Sequence, residues 1–95
     1  MASYYARVEL HGASWPRDYE KLHDCLKRMG FTSCVPTPTR GQLRLPTGFY
    51  CAFNLVEDVD VVTEAVKTCA ESSGYKYEIA VIKAADARVN LSSKC

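Results

Sequence analysis

The order of hydrophobic patterns predicts a single α+β domain, and three observations carry that prediction. From Tyr4 to His11 the chain alternates with a period of two: Tyr4, Ala6, Val8 and Leu10 on one side, Tyr5, Arg7, Glu9 and His11 on the other. That is the mark of a half-buried strand. Two amphipathic stretches, Trp15–Met29 and Asp58–Ser73, have the three- and four-residue recurrence of helices. Two further alternating runs, Phe49–Leu55 and Tyr75–Lys83, read as strands. A strand feeding directly into a helix needs a parallel neighbour to return to, so Tyr4–Leu10 is expected inside one sheet. The order is strand, helix, strand, strand, helix, strand. This is the split βαβ (βαββαβ), or ferredoxin-like, arrangement: an antiparallel sheet with two helices on one face.

Ninety-five residues make one domain, read here as 1–85, with 86–95 as a tail or arm. A chain this long buries roughly 60–65% of its unfolded surface, enough for one two-layer core. Apolar residues are 47% and charged residues 24%, ordinary for a globular protein. A net charge of +1 neither requires nor excludes nucleic acid, because a local basic patch is compatible with it. No apolar run approaches the about 20 residues that span a bilayer, so no membrane is expected. No basic segment followed by an apolar core opens the chain, and the expected location is cytoplasmic. The cysteines are Cys25, Cys34, Cys51, Cys69 and Cys95. Their number is odd, their spacings are wide and no C-x-x-C pair occurs, so reduced thiols are expected. Cys25, Cys51 and Cys69 fall at core positions, where a thiol is a small apolar group. A zinc site would need clustered ligands; no metal and no cofactor is expected.

Along the first helix, Ser14 is the expected N-cap and Pro16 suits the first turn. Asp18 and Glu20 at the start, with Lys27 and Arg28 at the end, complement the helix dipole. Tyr19, Leu22, Leu26 and Met29 form the apolar face, and Gly30 closes it. Phe31–Val35 is a short β-prone run. The prolines of 36–41 keep that segment out of a central strand. Gln42–Leu45 can resume pairing, and Pro46–Gly48 is a turn. In Phe49–Leu55 the inward face is read as Phe49, Cys51, Phe53 and Leu55. Asp58 caps the second helix, whose stripe is Val59, Val62, Ala65, Val66, Cys69 and Ala70. Gly74 ends it. The last strand points Tyr77, Ile79 and Val81 inward. The 86–95 segment has no firm period: a frayed tail, a short helix or an arm that docks on a partner.

The face away from the helices is then expected to show Tyr5, Arg7, Glu9, Tyr50, Ala52, Asn54, Lys76, Glu78, Ala80 and Ile82. Tyrosine and arginine are enriched at interfaces. The face is either a solvated sheet surface or the contact of a homodimer using Tyr5, Tyr50 and Ile82 or the 86–95 arm. An RNA-recognition motif would place aromatics at fixed positions of the middle strands; of Thr47–Asn54 only Gly48-Phe49 fits. No P-loop, nucleotide fingerprint, Gly-x-Ser-x-Gly or His-Glu-x-x-His occurs. The candidate acid–base groups are His11, beside Gly12 at the end of the first strand, and His23, at the edge of the first helix's apolar face. Each also reads as an ordinary boundary histidine. Arg40, Arg44 and Lys83 could join Arg7 or Arg88 in a modest phosphate-binding patch, or serve only as surface charges. No pair of carboxylates converges.

The order and spacing of elements resemble the family of the antitoxin endoribonuclease GhoS, which is similar in shape to the small CRISPR adaptation nuclease subunit. The segments that carry the resemblance are Tyr5–Leu10, Leu26-Lys-Arg-Met-Gly-Phe-Thr-Ser33, Gln42-Leu43, and Phe49–Asn54 leading to Glu57-Asp58, within residues 4–85. It implies an RNA-binding or RNA-cleaving homodimer of a bacterial toxin–antitoxin system. A family arginine on the first helix falls near His23, and a family phenylalanine falls at Phe49. The CRISPR subunits hold a metal with an aspartate at the end of the first strand. This chain has Leu10-His11 there, so metal-independent chemistry is expected: His11 and His23 as base and acid, with Arg7, Arg44 and Phe49 binding RNA. The alternative is a non-catalytic homodimeric module, phage-encoded or bacterial, that binds a protein or RNA.

Overall fold

The structure, a computed structural model, describes residues Ala2–Cys95. Strand β1 is Ala2–His11; Tyr4, Ala6, Val8 and Leu10 are buried along it while Arg7, Glu9 and His11 are exposed. The period-two reading of this strand holds. β1 lies in the middle of a three-stranded sheet of order β4–β1–β5, where β4 is Phe49–Leu55 and β5 is Lys76–Ala84. Both neighbours run antiparallel to it. The parallel neighbour expected from a strand that feeds a helix is therefore not beside β1, since both of its edges are already taken.

Helix α1 is Glu20–Arg28, preceded by a 3-10 turn over Arg17–Tyr19. It starts later than Trp15, and the Ser14 side chain does not cap it. Instead the Ser14 N–H donates to Asp18 Oδ2 at 2.7 Å, and the Ser14 carbonyl accepts the Asp18 N–H at 2.9 Å. This pair of bonds closes a turn where the helix was expected to begin. Helix α2, Val59–Ser72, starts as read: Asp58 Oδ1 accepts the Val61 N–H at 2.9 Å, satisfying one of the free donors of the first turn. Leu22 and Leu26 of α1 and Val62, Val66, Cys69 and Ala70 of α2 join the inward residues of β1 in one core cluster. A disulfide between Cys25 and Cys69 ties the two helices together.

Over Phe49–Phe53, strand β4 presents the opposite face from the one expected, while Leu55, just past the left-handed Asn54 (φ +61°), packs against the core as read. Tyr50 and Ala52 enter the core, and Phe53 is 40% exposed. β4 is apolar on both sides, so its alternation did not choose a face. Pairing with β1 does: Tyr4 lies opposite Ala52, and Ala6 opposite Tyr50, each large ring against a small residue. A slip of one residue would exchange the faces. Nor is the other side of β4 open. Cys51 is buried there with Val35 and Leu45, packed by Tyr5, Phe49 and Leu91.

Strands β2, Cys34–Thr37, and β3, Gly41–Arg44, form a separate two-stranded sheet with Pro36 opposite Gln42. The prolines do stay out of the main sheet. Thr32 and Cys51 exchange backbone bonds of 2.8 Å, and the Leu45 N–H reaches the Ser33 carbonyl at 2.8 Å, so the hairpin's base is anchored to β4. Gly48, at φ +75°, accepts the Val8 N–H on its carbonyl at 2.8 Å.

The 86–95 segment is a docked arm, but it docks on its own chain. Ser93 O accepts the Arg44 N–H at 2.7 Å, the Cys95 N–H donates to Gln42 O at 3.3 Å, and Cys34 and Cys95 are disulfide-bonded. The expectation of reduced thiols is overturned for four of the five cysteines; Cys51 alone is free, and it is buried. Sequence spacing hid the pairing, because helix packing brings Cys25 and Cys69 to a Cα separation of 5.5 Å across 44 residues. No helix among the described residues is long and apolar enough to cross a membrane.

Candidate functional site

A cleft of about 470 Å³ opens between the first helix and the β2–β3 hairpin. The helical repeat puts Glu20, His23 and Asp24 on one side of α1, toward this cleft. Trp15, 42% exposed, lies edge-on to Tyr19 with ring centroids 5.3 Å apart. Tyr19 is itself fixed, since its hydroxyl accepts the Leu10 N–H at 3.1 Å. The His23 ring sits 5.9 Å from the Tyr50 ring, so one side of the imidazole backs onto the core. Arg44 comes from β3, its backbone held by Cys34 on one side and by the Ser93 carbonyl on the other. Ser33 and the Cys34–Cys95 bridge complete the wall.

The structure thus brings together two of the residues named from sequence, His23 and Arg44. No protein-family model matches the chain, and no curated protein matches it. What the cleft can do therefore follows from its own chemistry. Its aromatic edge can stack a planar group, Arg44 can meet one anion, and His23 offers an imidazole as a proton acceptor or donor. Arg44 is the one guanidinium among the lining residues, set against Glu20 and Asp24, so the cleft suits a ligand of low charge. Burial pushes the Tyr50 hydroxyl up to about 12, so it stays neutral behind His23.

The remaining candidates lie elsewhere. His11 ends β1 on the sheet face that α1 does not cover, with Nε2 3.1 Å from Glu78 Oε1. It is not among the residues lining the cleft. Glu9 lies directly opposite Glu78, so a pair of carboxylates does converge where none was expected. The ligand atoms of Glu9, His11 and Glu78 lie within 4.8 Å of one another, and all three residues are exposed. An imidazole with two carboxylates is a donor set that a divalent ion can use; exposed carboxylates beside a histidine also occur with no ion to hold. Arg7 and Phe49 are cross-strand partners on that face, and Phe49 lies edge-on to Tyr5 at 6.1 Å. The three residues expected to bind RNA are therefore divided, Arg44 in the cleft and Arg7 with Phe49 on the sheet.

Sequence reasoning missed Trp15, Tyr19 and the Cys34–Cys95 bridge as parts of a site. A signal existed for Trp15, the single tryptophan, placed just before Pro16 and so ahead of any helical body. None existed for the bridge, which joins residues 61 apart.

Proposed function

We propose that this chain is a single-stranded RNA-binding protein of the GhoS-like type, and that the Trp15–His23–Arg44 cleft takes one nucleotide. The observation that carries the reading is the shared cleft of His23 and Arg44 beside the exposed Trp15 ring, which is braced edge-on by the buried Tyr19. A base stacks at Trp15, a phosphate meets Arg44, and His23 faces the ribose. Where the RNA is cleaved, His23 accepts the 2′-hydroxyl proton, and the 2′-oxygen attacks the adjacent phosphorus. The 5′-oxygen leaves and is protonated by water, and Arg44 stabilises the phosphorane charge. This is metal-independent endoribonuclease chemistry with one histidine in the cleft, suited to a toxin–antitoxin system. The ferredoxin-like reading is supported by the β4–β1–β5 order, by the helices' shared core and by the Thr32–Cys51 bridge, which sets the second strand region beside β4.

Anisotropy of a fluorescent single-stranded RNA pool tests the reading. The unaltered protein is expected to bind with a log–log salt slope steeper by about 0.7, the value for a single phosphate contact, than Arg44→Ala, which binds about tenfold more weakly. No binding, or binding unchanged in Arg44→Ala, would count against it.

A non-catalytic homodimeric module is the second reading. It is favoured by Phe53 and Ile82, 40% and 55% exposed, on the sheet face away from the helices. Tyr50, expected in that contact, is 1% exposed and lies in the core instead. Sedimentation at micromolar concentration separates a dimer from a monomer.

A further inference from the structure

The two disulfides stand in different surroundings. Cys69 is 2% exposed, and Cys25 packs against the main core. Cys95 is exposed and Cys34 half-buried, both on the wall of the cleft. A thiolate attacks a disulfide sulfur that it can reach, so the exposed bridge is the labile one. That bridge holds the 86–95 segment, in which Leu91 is half-buried and the residues on either side of it are exposed. The segment is also met by Arg40 Nη1 at Leu91 O, 3.0 Å, and by the backbone bonds of Arg44 and Gln42. A few solvent-exposed bonds do not offset the entropy lost in ordering so extended a strap. The cross-link is what keeps it in place.

We propose that Cys34–Cys95 is a redox latch on the cleft. While it is closed, the 86–95 strap lies along β3 and walls the site beside His23 and Arg44. A dithiol reductant opens it. One thiolate attacks Cys95 Sγ, the Sγ–Sγ bond breaks and a mixed disulfide forms. The second thiol then displaces Cys95 and closes the reductant's own disulfide. Two electrons pass to the protein, Cys34 and Cys95 each take a proton, and the reductant is oxidised. The strap leaves, Arg44 loses its bond to Ser93, and the β3 edge is uncovered. The consequence for RNA rests on the cleft reading above: the closed form holds Arg44 in place and binds more tightly.

The test equilibrates intact protein with graded mixtures of reduced and oxidised dithiothreitol. Free thiols are trapped by alkylation and mapped by mass spectrometry, and amide exchange is measured on the same samples. Cys34 and Cys95 are expected to be trapped under milder reduction than Cys25 and Cys69. Exchange at the Arg44 amide then rises about tenfold or more, while that at Val8 holds. Cys95→Ser reproduces the fast Arg44 exchange without reductant, and protection at Val8 shows that this variant folds. Trapping of Cys25 and Cys69 first, or unchanged exchange at Arg44 once Cys34 and Cys95 are reduced, would overturn the latch. Weaker RNA binding by the reduced protein supports the coupling, and equal binding overturns it. Absence of binding in both states overturns the cleft reading, and the latch is then decided by the exchange data.

Discussion

Ala6 and Tyr50 face each other across β1 and β4, and both are buried. The small side chain makes room for the ring, whose hydroxyl has no hydrogen-bond partner among the described residues. A buried polar group without a partner costs about 1–3 kcal/mol. Tyr50→Phe is therefore expected to leave stability unchanged or raise it by about 1 kcal/mol, read from the midpoint of urea unfolding. A loss of stability would show that the hydroxyl has a partner after all.

Alkaline pH should destabilise the fold through two buried acids. Burial raises the Cys51 thiol from 9.0 to about 11, and the Tyr50 hydroxyl from 10.0 to about 12. Both are neutral when protonated, and the folded state holds those protons longer than the unfolded one. Their contribution is fully present below the unfolded values and is lost as pH rises through the folded ones. Unfolding free energy should thus fall from about pH 9 to about pH 12, and Cys51→Ala should remove the first part of that fall. A profile identical in Cys51→Ala would place the titration elsewhere.

Gly48 is the glycine the fold can least replace. Its φ is +75°, and an added Cβ would run into the Val8 carbonyl, part of the backbone of the central strand. Gly48→Ala is expected to cost more than about 1 kcal/mol, through strain and through the bond that Gly48 O makes to Val8. Gly41, also at positive φ but with open space around it, should be hurt less by the same change. Thermal melts of the two variants give the comparison, and equal melting temperatures would contradict it.

What was legible in the sequence follows from where one constraint acts alone. β1 alternates apolar with polar, so its inward face could be read; β4 is apolar on both sides, and only pairing with β1 decides it. Asp58 caps α2 because it stands directly ahead of the first turn, with Oδ1 on the Val61 N–H. Ser14 does not cap α1, because the turn it closes with Asp18 and the 3-10 turn that follows put the start of the helix at Glu20, out of its reach. His23 was legible as a boundary residue of an amphipathic helix, but not its company. Arg44 joins its cleft through the hairpin, and Cys95 through the strap. Both lie far from His23 in the chain, and local periodicity carries no signal for such neighbours. The Glu9–Glu78 pair depends in the same way on the β1–β5 register.

The division of the histidines has a kinetic consequence. If RNA cleavage uses the cleft, His23→Ala should lower the rate about 10²–10⁴-fold, the usual cost of losing a general acid or base, with the melting temperature kept. His11→Ala should leave the rate unchanged, and EDTA should not abolish it. Loss of activity in His11→Ala, or with chelator, would move the chemistry to the Glu9–His11–Glu78 cluster.

The most direct test of the cleft is a nuclear magnetic resonance titration of the intact, oxidised protein with a short single-stranded RNA. The expected result is that shifts concentrate at the Trp15 indole, His23, Ser33 and Arg44, and saturate together. Shifts concentrated at Arg7, Phe49 and Ile82 instead, or no shifts at all, would contradict the assignment of the cleft as the RNA-binding site.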